Sequence, residues 1–174
     1  MSKSSVGRRI SACLREYQAG NYEESLIHFF PALDKVSKRR RPSSGVGERI
    51  RGFIRDEEIL ITAISLRVAM KGNRFDGVTL EEAIYKFGRT SIVHEGELDP
   101  RLKFVQTGGI SIGKEWVLPI SFILALIIAV LSAKECRGEE IDINEHITIL
   151  DRTWHVNSLI GNAPEIKTHV AAAF

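Results

Sequence analysis

Eighteen consecutive residues without a charge, "WVLPISFILALIIAVLSA" from 116 to 133, constrain this chain more than any other stretch. Built as one helix they would run about 27 Å, the threshold for a membrane span. Pro119, Ser121 and Ser132 interrupt the run, and charges of both signs stand at its ends. Those features favour a different solution. A helix apolar all round is the central helix of a bundle, covered by its own domain and by a partner subunit. The membrane span is the competing reading, and the expectation is of no membrane partner.

The rest of the chain supplies helices to cover such an element. Ile10, Cys13, Leu14 and Tyr17 recur at helical spacing until "AGN" at 19–21 makes a turn. Tyr22, Leu26, Phe29, Phe30, Leu33 and Val36 form the stripe of a second, antiparallel helix, which Pro31 should kink. "RRRPSSGVG" reads as a flexible basic loop. A third helix is expected from about Glu48, facing inward through Ile50, Phe53, Ile54, Ile61, Ile64 and Val68, with "KGNRFDG" closing it. Thr79 with Glu82 three residues on is a capping box, opening a fourth helix to about His94. Leu102, Phe104, Ile110 and Ile112 alternate around "QTGG" and predict a β-hairpin near residues 101–113. The fold expected is mainly α: an antiparallel four- to five-helix bundle with that hairpin, a single domain over 1–174. From about 139 the tail can be read as a strand or as a helix capped by Asn144.

Charge narrows the partner. From Lys35 to Arg55 eight cations face Glu48 alone, leaving the remainder of a +2 chain at −5. Such a sector is the expected footprint of a polyanion, which makes Arg39, Arg40, Arg41, Arg49, Arg51 and Arg55 candidate nucleic-acid contacts; the bland alternative is a solvated face. Cys13 and Cys136 match no metal or redox spacing, and "MSKSSVGRRISACL" lacks the apolar core of a signal peptide, so a cytoplasmic location is expected. HExxH, CxxC and EF-hand patterns are absent, and "GVG" at 45–47 lacks the ending of a phosphate loop. No metal or cofactor is expected. His28 reads as structural.

One pair stands out. In "GRTSIVHEGELD", 88–99, Arg89 precedes His94 by five places at the end of the capped helix. Given 15 arginines and 5 histidines, about 0.4 such spacings arise by chance. Its weight therefore comes from the helical context and the basic sector. In that context "RTSIVH" resembles the HEPN family, whose motif is an arginine, four to six residues, then a histidine late in a helix. The resemblance implies an antiparallel helical bundle that dimerises, and often a metal-independent RNA endonuclease in a toxin–antitoxin, phage-defence or RNA-processing setting. RNA, a second copy and an antitoxin protein are the partners it implies. Thr90 follows the arginine where the family commonly carries Asn, Asp or His, a larger polar group with more hydrogen bonds to give.

Positions five apart on an α-helix differ by about 140° in direction and about 7.5 Å along the axis. One helix does not aim both side chains at one atom, whereas two copies across a two-fold axis pool two arginines and two histidines. In that arrangement His94 would move the proton of a ribose 2′-OH or of the leaving 5′-oxygen. Arg89 would stabilise charge growing on phosphorus. The products would be a 2′,3′-cyclic phosphate and a 5′-hydroxyl. The alternative is a non-catalytic helical module binding a nucleotide, an RNA or a protein partner. The third possibility is that both cations merely serve a helix C-terminus.

Overall fold

The computed structural model describes residues 4–174. Mainly helical, it carries three small sheets. Helix α1 (Ser5–Gln18) starts at Ser4, whose hydroxyl accepts from the Val6 amide, and buries Val6, Ile10, Cys13 and Leu14. After Gly20 at φ +82° the chain reverses into α2 (Tyr22–Arg40). The contacts Cys13–Ser25, Arg9–His28 and Lys35–Ser5 step in opposite senses along the two helices, so the pair is antiparallel. Pro31 lies inside α2 without ending it: the helix continues to Arg40. Arg39 and Arg40 therefore belong to this helix and Arg41 caps it, and the loop expected at "RRRPSSGVG" shrinks to its last residues. Helix α3 (Val46–Leu66) stops when Arg67 turns left-handed at φ +59°, which leaves Val68 outside it and 49% exposed.

Between α3 and the next helix, β1 (Arg74–Phe75) and β2 (Val78–Thr79) form a hairpin across Asp76 and Gly77. Both turn residues have positive φ, +51° and +79°, as a tight primed turn requires. Phe75 meets the ring of Trp116 edge-on at 5.8 Å, pinning the hairpin to the core. Thr79 then caps α4 (Leu80–Ala83) through the predicted box: its amide donates to Glu82 Oε2 at 2.8 Å. A π-helical stretch, Ile84–Thr90, leads into α5 (Ser91–Glu95), closed by Gly96 at φ +80°.

The uncharged run is not one helix. Trp116–Pro119 is strand β5, and only Ser121–Ser132 is helical, as α6. Among the described residues no helix is long and apolar enough to cross a membrane. The switch occurs at Pro119, which lacks an amide to extend a ladder and suits the approach to a helix start. In β5 burial alternates, with Trp116 and Leu118 inward. In α6 every residue from Ala125 to Ser132 is buried, within this chain alone, against α2, α3 and α7 (Ala163–Ala171). The expectation that this helix supplies a subunit interface is thereby overturned.

The hairpin expected near 101–113 is corrected too. Strand β3 (Leu102–Val105) and β4 (Ser111–Ile112) do not pair with each other. Strand β5 inserts between them, parallel to β3 from Leu102↔Trp116 to Val105↔Pro119 and antiparallel to β4. Trp116 and Leu118 bury large surfaces here, which the short polar "QTGG" connection could not do. Of the two readings of the tail the strand holds: β6 (His146–Ile149) pairs with β7 (Arg152–His155), with Leu150 turning at φ +60°.

Candidate functional site

The capped helix end borders a concave surface lined by several polar side chains. Its backbone is set by packing. Ile84, Phe87 and Gly88 are buried, and a Cβ on Gly88 would stand 2.9 Å from the Phe30 ring and 3.4 Å from Leu102. Glycine thus lets the π stretch lie flat on α2 and β3. The Phe87 carbonyl accepts from the Asp99 amide at 2.9 Å, tying the following turn to the same stretch. Wide turns of this kind recur at functional sites.

The outward side chains of the stretch form a groove of about 500 Å³ with Arg51 of α3, Glu82, Tyr85, Lys86, Thr90 and Arg101 on its walls. Tyr85 is its centre. The Arg51 guanidinium lies 5.2 Å from the ring centroid and that of Arg89 5.8 Å away. A Cβ on Gly47 would come within 3.1 Å of the Tyr85 hydroxyl, so α3 has a gap where that hydroxyl sits. Arg51 also approaches Glu48 at 3.5 Å. Lys86 is exposed and makes no salt bridge among the described residues. Glu82, the one acid in the wall, is committed: hydrogen bonds from the Thr79 backbone, ahead of burial acting the other way, hold it below the ordinary glutamate range.

Arg101 covers the Phe87 ring at 4.2 Å and grips Asp99 in a fork of 2.9 and 2.7 Å. That fork, first, and the Arg101 amide lower the Asp99 carboxyl to about 2, against a smaller opposing effect of burial. A depressed carboxyl contributes stability above its unfolded value of about 3.9 and loses it as pH falls through the folded one. By NMR, Asp99 should titrate near 2 in the native chain, and Arg101→Ala should return it to about 3.9. A wild-type midpoint in the ordinary range would mean that the fork is open in solution.

Arg89 is half-buried and His94 exposed. Neither makes a hydrogen bond or ion pair among the described residues, and the groove includes neither side chain in its wall. No contact between the two is seen among the described residues. Each of the six arginines of the basic sector is paired with a carboxylate. Arg39 reaches Glu139 at 2.8 Å, Arg40 reaches Glu57 and Glu135, and Arg41 reaches Asp56. Arg49 pairs with Asp34 at 2.7 Å and Arg55 with Glu81 at 3.1 Å. Of the six, Arg51 alone lines the groove. Tyr85, Lys86 and Arg101 had no motif to announce them, although Tyr85 and Lys86 stand one helical turn before Arg89. Among the described residues no three His, Cys, Asp or Glu converge as a metal site would.

The model of one protein family, Rv1289, matches residues 5–173. The chain belongs to the Rv1289 family. The match takes in the Tyr85 groove, Arg89, His94 and the tail, so in this member of the Rv1289 family the groove lies inside the family's extent. No curated protein and no solved structure matches the chain.

Proposed function

We propose that the chain is a HEPN-like helical domain, an antiparallel bundle of four to five helices, that binds single-stranded RNA at the Tyr85 groove. The observation carrying this reading is the aromatic ring flanked by Arg51 and Arg89 with Lys86 and Arg101 alongside. An aromatic face set among cations accepts a base by stacking and its phosphates by charge, without reading sequence. Guanidinium planes stack bases as well. Arg39, Arg40, Arg41, Arg49 and Arg55, held by carboxylates, contribute less than their number suggests.

A second reading adds turnover: Arg89 and His94 act as half of a metal-free endonuclease site completed by a second copy. Val93, beside His94 and 55% exposed, gives an apolar contact through which two α5 ends would meet. His94 would then transfer the proton and Arg89 would hold the phosphate.

Gel shift and cleavage assays on the same preparations separate the two. Tyr85→Ala should weaken binding of an RNA oligonucleotide by about 1–3 kcal/mol, roughly five- to 150-fold, while Arg55→Ala leaves it nearly unchanged. In excess EDTA, cleavage with 2′,3′-cyclic ends that disappears in folded His94→Ala supports turnover. Binding without cleavage supports the binding module. Affinity indifferent to Tyr85 and Arg51 sinks the groove reading.

A further inference from the structure

We infer that a second cleft, between α1 and the middle of α2, is a binding site for a small phosphate-bearing ligand. It encloses about 370 Å³ and shares no residue with the Tyr85 groove. Arg8 and Arg9 enter from α1, His28 and Lys35 from α2, and Ser5 from the first turn of α1. No carboxylate lines it among the described residues.

The contrast with the sector next to it is what gives the cleft meaning. Arg39, Arg40, Arg41, Arg49, Arg51 and Arg55 each have an acidic partner. Arg8, Arg9 and Lys35 have none among the described residues, although they face one another across the cleft. Instead, Arg9 donates to Nδ1 of His28 at 3.3 Å and Lys35 donates to the Ser5 hydroxyl. Neither acceptor is a carboxylate. Charge-assisted bonds to an anion are roughly twice as strong, so a phosphate entering the cleft replaces both contacts with better ones.

The location of the cations adds a second argument. Arg8 and Arg9 lie early in α1, whose first turn contains no acid. Cations there oppose the helix dipole, which prefers negative charge at this end. Two of the free amides are already occupied, Val6 by Ser4 and Gly7 by Glu139 at 3.1 Å. The ligand is therefore held by side chains and not by the helix terminus. Three permanent cations suit a dianion or a diphosphate. A volume near the lower end of small-molecule sites suits a compact ligand and excludes a duplex.

Calorimetric titration of the full chain with inorganic pyrophosphate at low salt tests this assignment. One saturable site is expected, weakened about tenfold or more in the Arg9→Ala/Lys35→Ala double variant, since two charge-assisted contacts are lost. Arg51→Ala, in the other groove, should leave it unchanged, and a single-stranded RNA should not displace the pyrophosphate. Both substituted side chains are exposed; a melting curve verifies the fold, and Arg9→Gln/Lys35→Gln repeats the test with polar bulk retained. Equal affinity in the double variants, loss through Arg51→Ala instead, or no saturation overturns the site. Displacement by RNA overturns the small-molecule assignment. Failure of the RNA reading at Tyr85 leaves all these outcomes readable, because the two clefts have no residue in common.

Discussion

Replacing Arg40 with methionine is expected to cost about 3–5 kcal/mol of folding stability, the range for removing one partner of a buried ion pair. The Arg40 side chain is 15% exposed, and its partners Glu57 and Glu135 are 4% and 6% exposed. Its fork meets Glu135 through Nε at 3.1 Å and Nη2 at 3.0 Å, while Nη1 reaches Glu57 at 2.9 Å and Asp56 at 3.2 Å. The guanidinium also lies 4.2 Å from the centroid of the Phe53 ring. Methionine retains the apolar contact and deletes every polar one. Glu57 keeps Lys167 at 2.7 Å, so Glu135 is the group left alone.

The pH dependence identifies that group. Burial pushes the Glu135 carboxyl up, and the hydrogen bonds and charge of Arg40 outweigh it, for a net lowering. In the native chain its contribution is complete above the unfolded value, about 4.3, and is lost as pH falls through the folded one. In the methionine variant burial, the largest single influence, is opposed only by the Glu135 amide and the charge of Lys134, so protonation favours the folded state. The deficit measured by urea unfolding should therefore be largest near pH 7 and shrink on acidification. A deficit below about 1 kcal/mol at pH 7 would mean that the network is solvated.

This network also explains why the basic sector misleads when read along the chain. The window from Lys35 to Arg55 is bounded on either side by Asp34 and by Asp56–Glu57, all three of which pair with its arginines. Glu81, Glu135 and Glu139 arrive from far along the sequence. A charge count by position sees only local neighbours, whereas the fold neutralises by proximity in space. The cations of the second cleft, Arg8, Arg9 and Lys35, which have no acidic partner among the described residues, are split between two helices.

The helices were readable for the opposite reason, since their signals are local. The apolar stripes of α1 and α2, the "AGN" reversal and the Thr79 box depend on residues within a turn of one another. Strand β5 depends on partners that lie elsewhere. Its four residues carry no charge and merge with the apolar α6, and only the pairing with β3 and β4 reveals a strand. The Tyr85 groove is of the same type. Arg51 and Arg101 reach it from separate elements, and the π stretch that aims Tyr85 depends on Gly88 meeting Phe30, a contact 58 residues apart in sequence.

Gly7→Ala is expected to destabilise the chain by roughly 3 kcal/mol, at the upper end of the usual range for overpacking, since the obstacle is backbone. A Cβ at this position would sit well inside van der Waals contact with the Glu140 carbonyl oxygen and 3.2 Å from its carbon. Gly7 is helical and its φ is ordinary, so the need for glycine comes from the close approach and not from conformation. The approach has a purpose. The segment after Cys136 runs along α1, where Glu139 accepts from the Gly7 amide and from the Ser4 hydroxyl, and Ser11 accepts from the Asp142 amide at 3.0 Å. Arg39 completes the clasp at 2.8 Å from Glu139. Moving the segment away to admit a methyl group pulls Glu139 off the helix start and leaves its carboxylate half-served. Hydrogen exchange should then show the amides of the first turn of α1 and of residues 139–142 losing protection together, with the β6–β7 hairpin retaining its own. Loss confined to α1 would show that the segment is held by its other contacts, and an unchanged melting temperature would remove the close approach as a constraint on the fold.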